Sequence, residues 1–182
     1  SQAPELIIQR LYNITSNWYV YSAPTGLGKN LRLNDTSALL TDSSGISAVT
    51  NSTFTEAWSG SSYSYINYCW HSVAGYSKVG SYNGTSATGN VISTGFEPGF
   101  VMIKSTTLAS AGSIWFMYDN KRNTSNPRDT ILRANDSSAE SNFGSPSPLD
   151  INFLANGFTI NGTYNGINGT GETYIYLAIK EN

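Results

Sequence analysis

Apolar and polar positions alternate along this chain in short stretches. The segment "YINYCWH" puts Ile66, Tyr68 and Trp70 on one side of an extended strand. Tyr65, Asn67, Cys69 and His71 fall on the other side. "TYIYLAIK" repeats the arrangement, with Ile175, Leu177 and Ile179 against Tyr174, Tyr176, Ala178 and Lys180. The more apolar set, Ile66, Tyr68, Trp70, Ile175, Leu177 and Ile179, is the expected core face. The same pattern between Gly, Pro, Asn and Ser clusters predicts strands over residues 6–11, 18–22, 31–34, 63–73, 77–82, 91–94, 100–105, 114–119, 131–134, 151–154, 157–161 and 173–180. No window sustains a helical period beyond a turn or two, and residues 137–141 are the candidate short helix. Many short strands at this spacing predict an all-β fold, an antiparallel β-sandwich.

Blocks of sequence recur in order. Residues 4–10, "PELIIQR", resemble residues 98–104, "PGFVMIK". Trp18-Tyr19-Val20-Tyr21 resembles Trp115-Phe116-Met117-Tyr118, and "NDTSA" from Asn34 matches "NDSSA" from Asn135. Phe54-Thr55 matches Phe158-Thr159, and Tyr65-Ile66 matches Tyr174-Ile175. Such periodicity is the mark of a repeated structural unit. It predicts two homologous halves, residues 1–75 and 76–182. The second half carries a leader, residues 77–95, that the first lacks. No flexible linker separates them, so they are expected to pack as one body.

Composition narrows the function. Charged residues are 12% of the chain and the net charge is −2, with no basic run. Duplex nucleic acid and anionic membranes are therefore poor partners. The apolar runs are too short to cross a bilayer as a helix. Polarity comes from Ser, Thr and Asn, about a third of the chain, with 17 Gly and 12 Tyr.

Candidate chemistry is sparse. The single Cys69 and single His71 share a strand face, about 7 Å apart. Proton transfer needs roughly 3 Å, and the matching block holds Ala178 and Lys180. A small residue and a long polar one are the simpler reading. "TGLGKN", residues 25–30, departs from phosphate-loop spacing and reads as a hairpin turn. No two glutamates stand two or four apart, the spacing that would put a catalytic pair on one strand face. Asp35, Asp42, Asp129 and Asp136 flank turns, where Asp is the default residue, so no metal site and no cofactor is expected. The best binding candidates are the loops over residues 51–62 and 161–172. Each sets a large aromatic, Trp58 or Tyr164, among Gly, Ser and Asn. A flat apolar face beside adaptable amides suits a sugar or a protein partner. Trp58, Tyr63, Tyr164, Asn165 and Asn168 are the residues expected to bind.

The blocks "YINYCWHSVAGYSKVGSYNG", "TGFEPGFVMIKST", "IWFMYDNKRN", "LRANDSSAE", "DINFLANGFTI" and "ETYIYLAIKEN" resemble repeat modules in virion structural proteins of tailed bacteriophages. These modules are described as concanavalin A-like or laminin G-like, and sit in tail fibres, spikes or capsid appendages. The resemblance implies a jelly-roll-like sandwich without catalytic residues, displayed on the virion surface. It implies contacts with other virion proteins, with further copies of itself, or with host-surface glycan. The rival expectation is a soluble lectin-like carbohydrate-binding protein, or a polysaccharide hydrolase on a jelly-roll fold.

Overall fold

The computed structural model describes residues 2–41, 45–56, 62–110 and 112–181. The strands are β1 (Leu6–Leu11), β2 (Tyr19–Ser22), β3 (Lys29–Arg32), β4 (Leu40–Thr41), β5 (Ala48–Val49), β6 (Phe54–Thr55), β7 (Tyr65–Trp70) and β8 (Ser77–Asn83). They continue as β9 (Asn90–Ser93), β10 (Pro98–Ser105), β11 (Phe116–Asp119), β12 (Thr130–Arg133), β13 (Ser141–Asn142), β14 (Ile151–Leu154), β15 (Gly157–Ile160) and β16 (Thr173–Lys180). One helical turn, α1 (Asn165–Asn168), lies before β16. The expected short helix over residues 137–141 is absent, and Ser141 instead begins β13. Asp136 binds the Ser138 amide and hydroxyl there, which closes a turn and competes with a helix.

The strands form antiparallel sheets packed as a sandwich. One has the order β4-β3-β2-β1-β7, and the second β13-β12-β11-β10-β16-β8. A third, β14-β15-β9, and the hairpin β5-β6 complete the set. The first two sheets run through their strands in the same order, and their ladders share a register. Ile7 faces Tyr21 and Val101 faces Tyr118; Gln9 faces Tyr19 and Ile103 faces Phe116. Ile8 faces Tyr68 where Met102 faces Leu177. Asn30 faces Leu40 where Ile131 faces Ser141. Val49 faces Phe54 where Phe153 faces Phe158. A side-chain clip also recurs: Asn34 Oδ1 accepts from the Trp18 amide at 2.8 Å, and Asn135 Oδ1 from the Trp115 amide at 2.9 Å.

Apolar burial is divided between the two faces of the six-stranded sheet. Met102, Trp115, Ile175 and Leu177 face the first sheet and pack with Leu6, Ile8, Val20 and Leu31. Val101, Phe116, Tyr118, Tyr174, Tyr176 and Ala178 face the other way and pack with Phe153, Phe158 and Ile160 of the third sheet. The expected core face needs correcting on this point. Ile175 and Leu177 are buried, and Trp70 and Ile179 are half-buried against the same cluster. Ile66 and Tyr68 are 40% and 44% exposed. The opposite face of β16, expected to be the polar one, is buried through Tyr174, Tyr176 and Ala178. The cause is position: β16 lies inside a sheet covered on both faces, whereas β7 ends its sheet.

Cys69 is exposed at that edge, and partial desolvation pushes its thiol pKa up. An activated nucleophile needs the reverse. Cys69→Ala is expected to change stability by less than about 0.5 kcal/mol in urea denaturation, as surface changes usually do.

Candidate functional site

A cleft of about 470 Å³ opens on the second half, lined by Ile114, Phe116, Arg133, Asp136, Ser138, Ser141, Phe143, Pro148, Leu149 and Tyr164. Its floor is core: Ile114, Phe116 and Leu149 are buried. Two aromatic rings border it, Phe143 at 46% and Tyr164 at 37% exposure.

The Tyr164 ring meets Phe116 edge-on, with centroids 6.1 Å apart. Its amide donates to Pro148 O at 3.0 Å, which fixes the loop. Gly112 lets the phenol lie close over the backbone, since a Cβ there would stand 2.7 Å from the Tyr164 hydroxyl. Tyr164 is thus held by its base while part of its ring faces the cleft.

The polar wall is held as firmly. Asn135 clips the turn after β12 to Trp115. Asp136 accepts from the Ser138 amide and hydroxyl at 2.7 and 2.6 Å. The Ser138 hydroxyl, and then its amide, hold the Asp136 carboxyl below its ordinary pKa. Arg133 donates to Ser141 Oγ at 3.0 Å. Aromatic faces beside a carboxylate, a guanidinium and hydroxyls offer stacking and hydrogen bonds together. Such a surface can take a polyhydroxylated ligand.

The matching region of the first half is built differently. By ladder register, Leu40 corresponds to Ser141. Leu39 packs against the apolar cluster between the first two sheets, and its amide donates to Thr106 O at 2.8 Å. Residues 37–40 read "SALL" where residues 138–141 read "SAES". The polar residues leave that turn outside the core, where it forms one wall of the cleft.

Of the residues expected to bind, Tyr164 lines this cleft. Trp58 lies outside the described residues. Tyr63 is exposed just before β7, in the other sheet. Asn165 is exposed at the start of α1. Asn168 departs from expectation: it is 0% exposed and its amide is fully engaged. Its Nδ2 donates to Ala87 O and Gly162 O, both at 2.9 Å. Its Oδ1 accepts from the Thr85 amide at 3.0 Å and Asn90 Nδ2 at 2.9 Å. Asn168 ties the β8–β9 turn to the loop between β15 and β16 and has no donor left for a ligand. Asn168→Ala is expected to lower unfolding free energy by about 2 kcal/mol in urea, because it strands several buried polar groups.

Sequence reading missed Arg133, Asp136, Ser141 and Phe143. The available signal was the change from Leu39-Leu40 to Glu140-Ser141 within otherwise matching blocks. Among the described residues, no group of three His, Cys, Asp or Glu side chains is placed to hold a metal ion. A second cleft, of about 350 Å³, has Glu97 and Glu181 in its wall. Lys121 and then Asn120 donate to the Glu181 carboxylate and push its pKa down.

Residues 1–182 match the family described as "Domain of unknown function (DUF7483)", and the chain belongs to that family. No curated protein and no solved structure matches it.

Proposed function

We propose, for this DUF7483 member, the role of a non-enzymatic surface module of a tailed-phage virion that attaches to host-surface glycan through the Tyr164 cleft. The observation that carries the reading is the cleft itself: two half-exposed aromatic rings beside fixed polar groups, on an apolar floor. The virion setting rests on the repeat blocks and their resemblance to phage modules. The matched ladders support reading the two halves as copies of one unit.

Binding without cleavage fits the titration of Asp136 and Glu181 in the two clefts; Glu56, whose pKa burial raises, lines neither of them. Glycoside cleavage needs an acid whose pKa is raised, opposite a second carboxylate. Asp136, the carboxylate that lines the Tyr164 cleft, is shifted downward. Glu181, in the second cleft, is shifted downward as well.

A glycan array tests the cleft. The wild-type chain is expected to retain neutral glycans with little change between about 50 and 500 mM salt, since screening acts on exposed charges. Tyr164→Ala should weaken that binding by about 2 kcal/mol, or roughly thirtyfold. Equal binding by both proteins, or a steep loss with salt, would place the contact elsewhere.

A further inference from the structure

The turns after β3 and β12 carry matching charged pairs in different arrangements. Ladder register sets Arg32 opposite Tyr19 and Arg133 opposite Phe116, so the two arginines correspond. Three residues on, Asp35 and Asp136 accept from the Ser37 and Ser138 amides at 2.8 and 2.7 Å. After β3 the pair is closed: Arg32 Nη1 lies 3.3 Å from Asp35 Oδ2. After β12 it is open. Arg133 Nη1 donates instead to Ser141 Oγ at 3.0 Å. Asp136 meets both Ser138 donors through Oδ1. Among the described residues, Arg133 forms no ion pair and Asp136 Oδ2 has no hydrogen-bond partner.

One position accounts for the difference. Ser141 stands where the register places Leu40, and a leucine has no hydroxyl to draw the arginine aside. Arg133, Asp136 and Ser141 all line the Tyr164 cleft. The cleft wall therefore presents a charged donor and a charged acceptor that do not satisfy each other. Hydrogen bonds to charged groups are the stronger kind, so a ligand that meets both is held in a fixed orientation. Below them lies the apolar floor of Ile114, Phe116 and Leu149.

We propose that this open pair reads an acetamido group, so that the glycan held in the cleft contains an N-acetylated amino sugar. The inference rests on the glycan reading above and names the sugar class. An acetamido group carries one donor and one acceptor, and it ends in a methyl. Its N–H donates to Asp136 Oδ2, and its carbonyl accepts from the Arg133 guanidinium. The methyl goes to the apolar floor, and the sugar ring lies against Tyr164. A plain hydroxyl in the same place could meet the charges but would leave the floor without an apolar partner. A free amino sugar would bring an ammonium towards Arg133 and would lack the methyl. Few polar groups, well placed above an apolar surface, are the usual source of ligand orientation and selectivity.

Matched sugars supply the test. The full chain is titrated by calorimetry with short oligosaccharides in pairs of equal linkage and length, N-acetylglucosamine against glucose and N-acetylgalactosamine against galactose. In at least one pair the N-acetylated member is expected to bind about tenfold tighter or more, since the site gains both hydrogen bonds and a methyl contact. Ser141→Leu should let Arg133 close onto Asp136, as Arg32 does onto Asp35, and remove that preference. Asp136→Asn should weaken the N-acetylated sugar about tenfold, because the charged acceptor is lost. Urea denaturation identifies a variant that has unfolded, and the wild-type comparison stands without either. Equal affinity within both pairs, or a preference unchanged in both folded variants, would overturn the inference and leave the glycan reading in place. Failure of the chain to bind any glycan on the array would overturn both.

Discussion

Trp115→Ala is expected to lower the unfolding free energy by about 3–5 kcal/mol, the range for a buried large aromatic. Trp115 is among the most deeply buried side chains, and it packs where the first two sheets meet. Its indole Nε1 donates to Arg32 O in the first sheet at 2.8 Å, so truncation also strands a carbonyl at that junction. The equivalent Trp18 gives a sharp comparison. It is only half-buried, with Tyr68 stacked on one side and the Arg10 guanidinium 5.1 Å from its ring centroid. Trp18→Ala should cost about half as much or less, since the loss follows the area removed from burial. Urea denaturation of both variants checks the ratio. Equal losses would mean that the sheets do not pack through the Trp115 side as described.

Stability should rise as the pH is raised from about 8 towards 10. Lys104 is wholly buried, and burial pulls its pKa down to about 8, with Asp35 opposing more weakly. Its ammonium donates to Ser37 O and Ser105 O at 3.0 Å and to Ser113 Oγ at 2.5 Å. These are neutral acceptors, which compensate a buried charge only in part. The folded pKa lies below the unfolded one, so between about 8 and 10.5 the unfolded chain holds more protons. Unfolding free energy then grows with pH, by about 3 kcal/mol if the whole window is realised. Tyrosines reverse the trend above about pH 10. Burial raises the pKa of Tyr82, Tyr118 and Tyr174, so the unfolded chain loses those protons first. A stability maximum near pH 10 is expected from denaturation curves, and Lys104→Met should abolish the rise between 8 and 10. A flat profile in the wild type would contradict the buried ammonium.

What the sequence made legible was register, and what it hid was coverage. Alternation in "YINYCWH" and "TYIYLAIK" tells which side chains share a face. It does not tell whether another layer lies over that face. So Ile66 and Tyr68, in an edge strand, stay exposed, while Tyr174 and Tyr176 are covered by the third sheet. The long strands could be placed to within a few residues, because each spans two or three periods. β4, β5, β6 and β13 have two residues each, too few to show a period. At the site, Tyr164 could be picked out as a large ring in a loop of small residues. Arg133 read as part of a strand and Asp136 as ordinary turn chemistry, places they also hold in the fold, and only folding brings them to the same cleft as Tyr164. Asn168 misled for a related reason. "NGTYNGINGTGE" looks like an exposed polar loop, yet its one buried amide supplies bonds that the β8–β9 turn cannot make for itself.

The composition of purified phage particles bears most directly on the proposed role. On the proposed virion role, purified particles from the source of this chain would be analysed by mass spectrometry, and intact particles would be probed with an antibody against it. The account predicts a stoichiometric structural component that the antibody reaches without opening the particle. Absence from purified particles, or recognition only after they are disrupted, would contradict it.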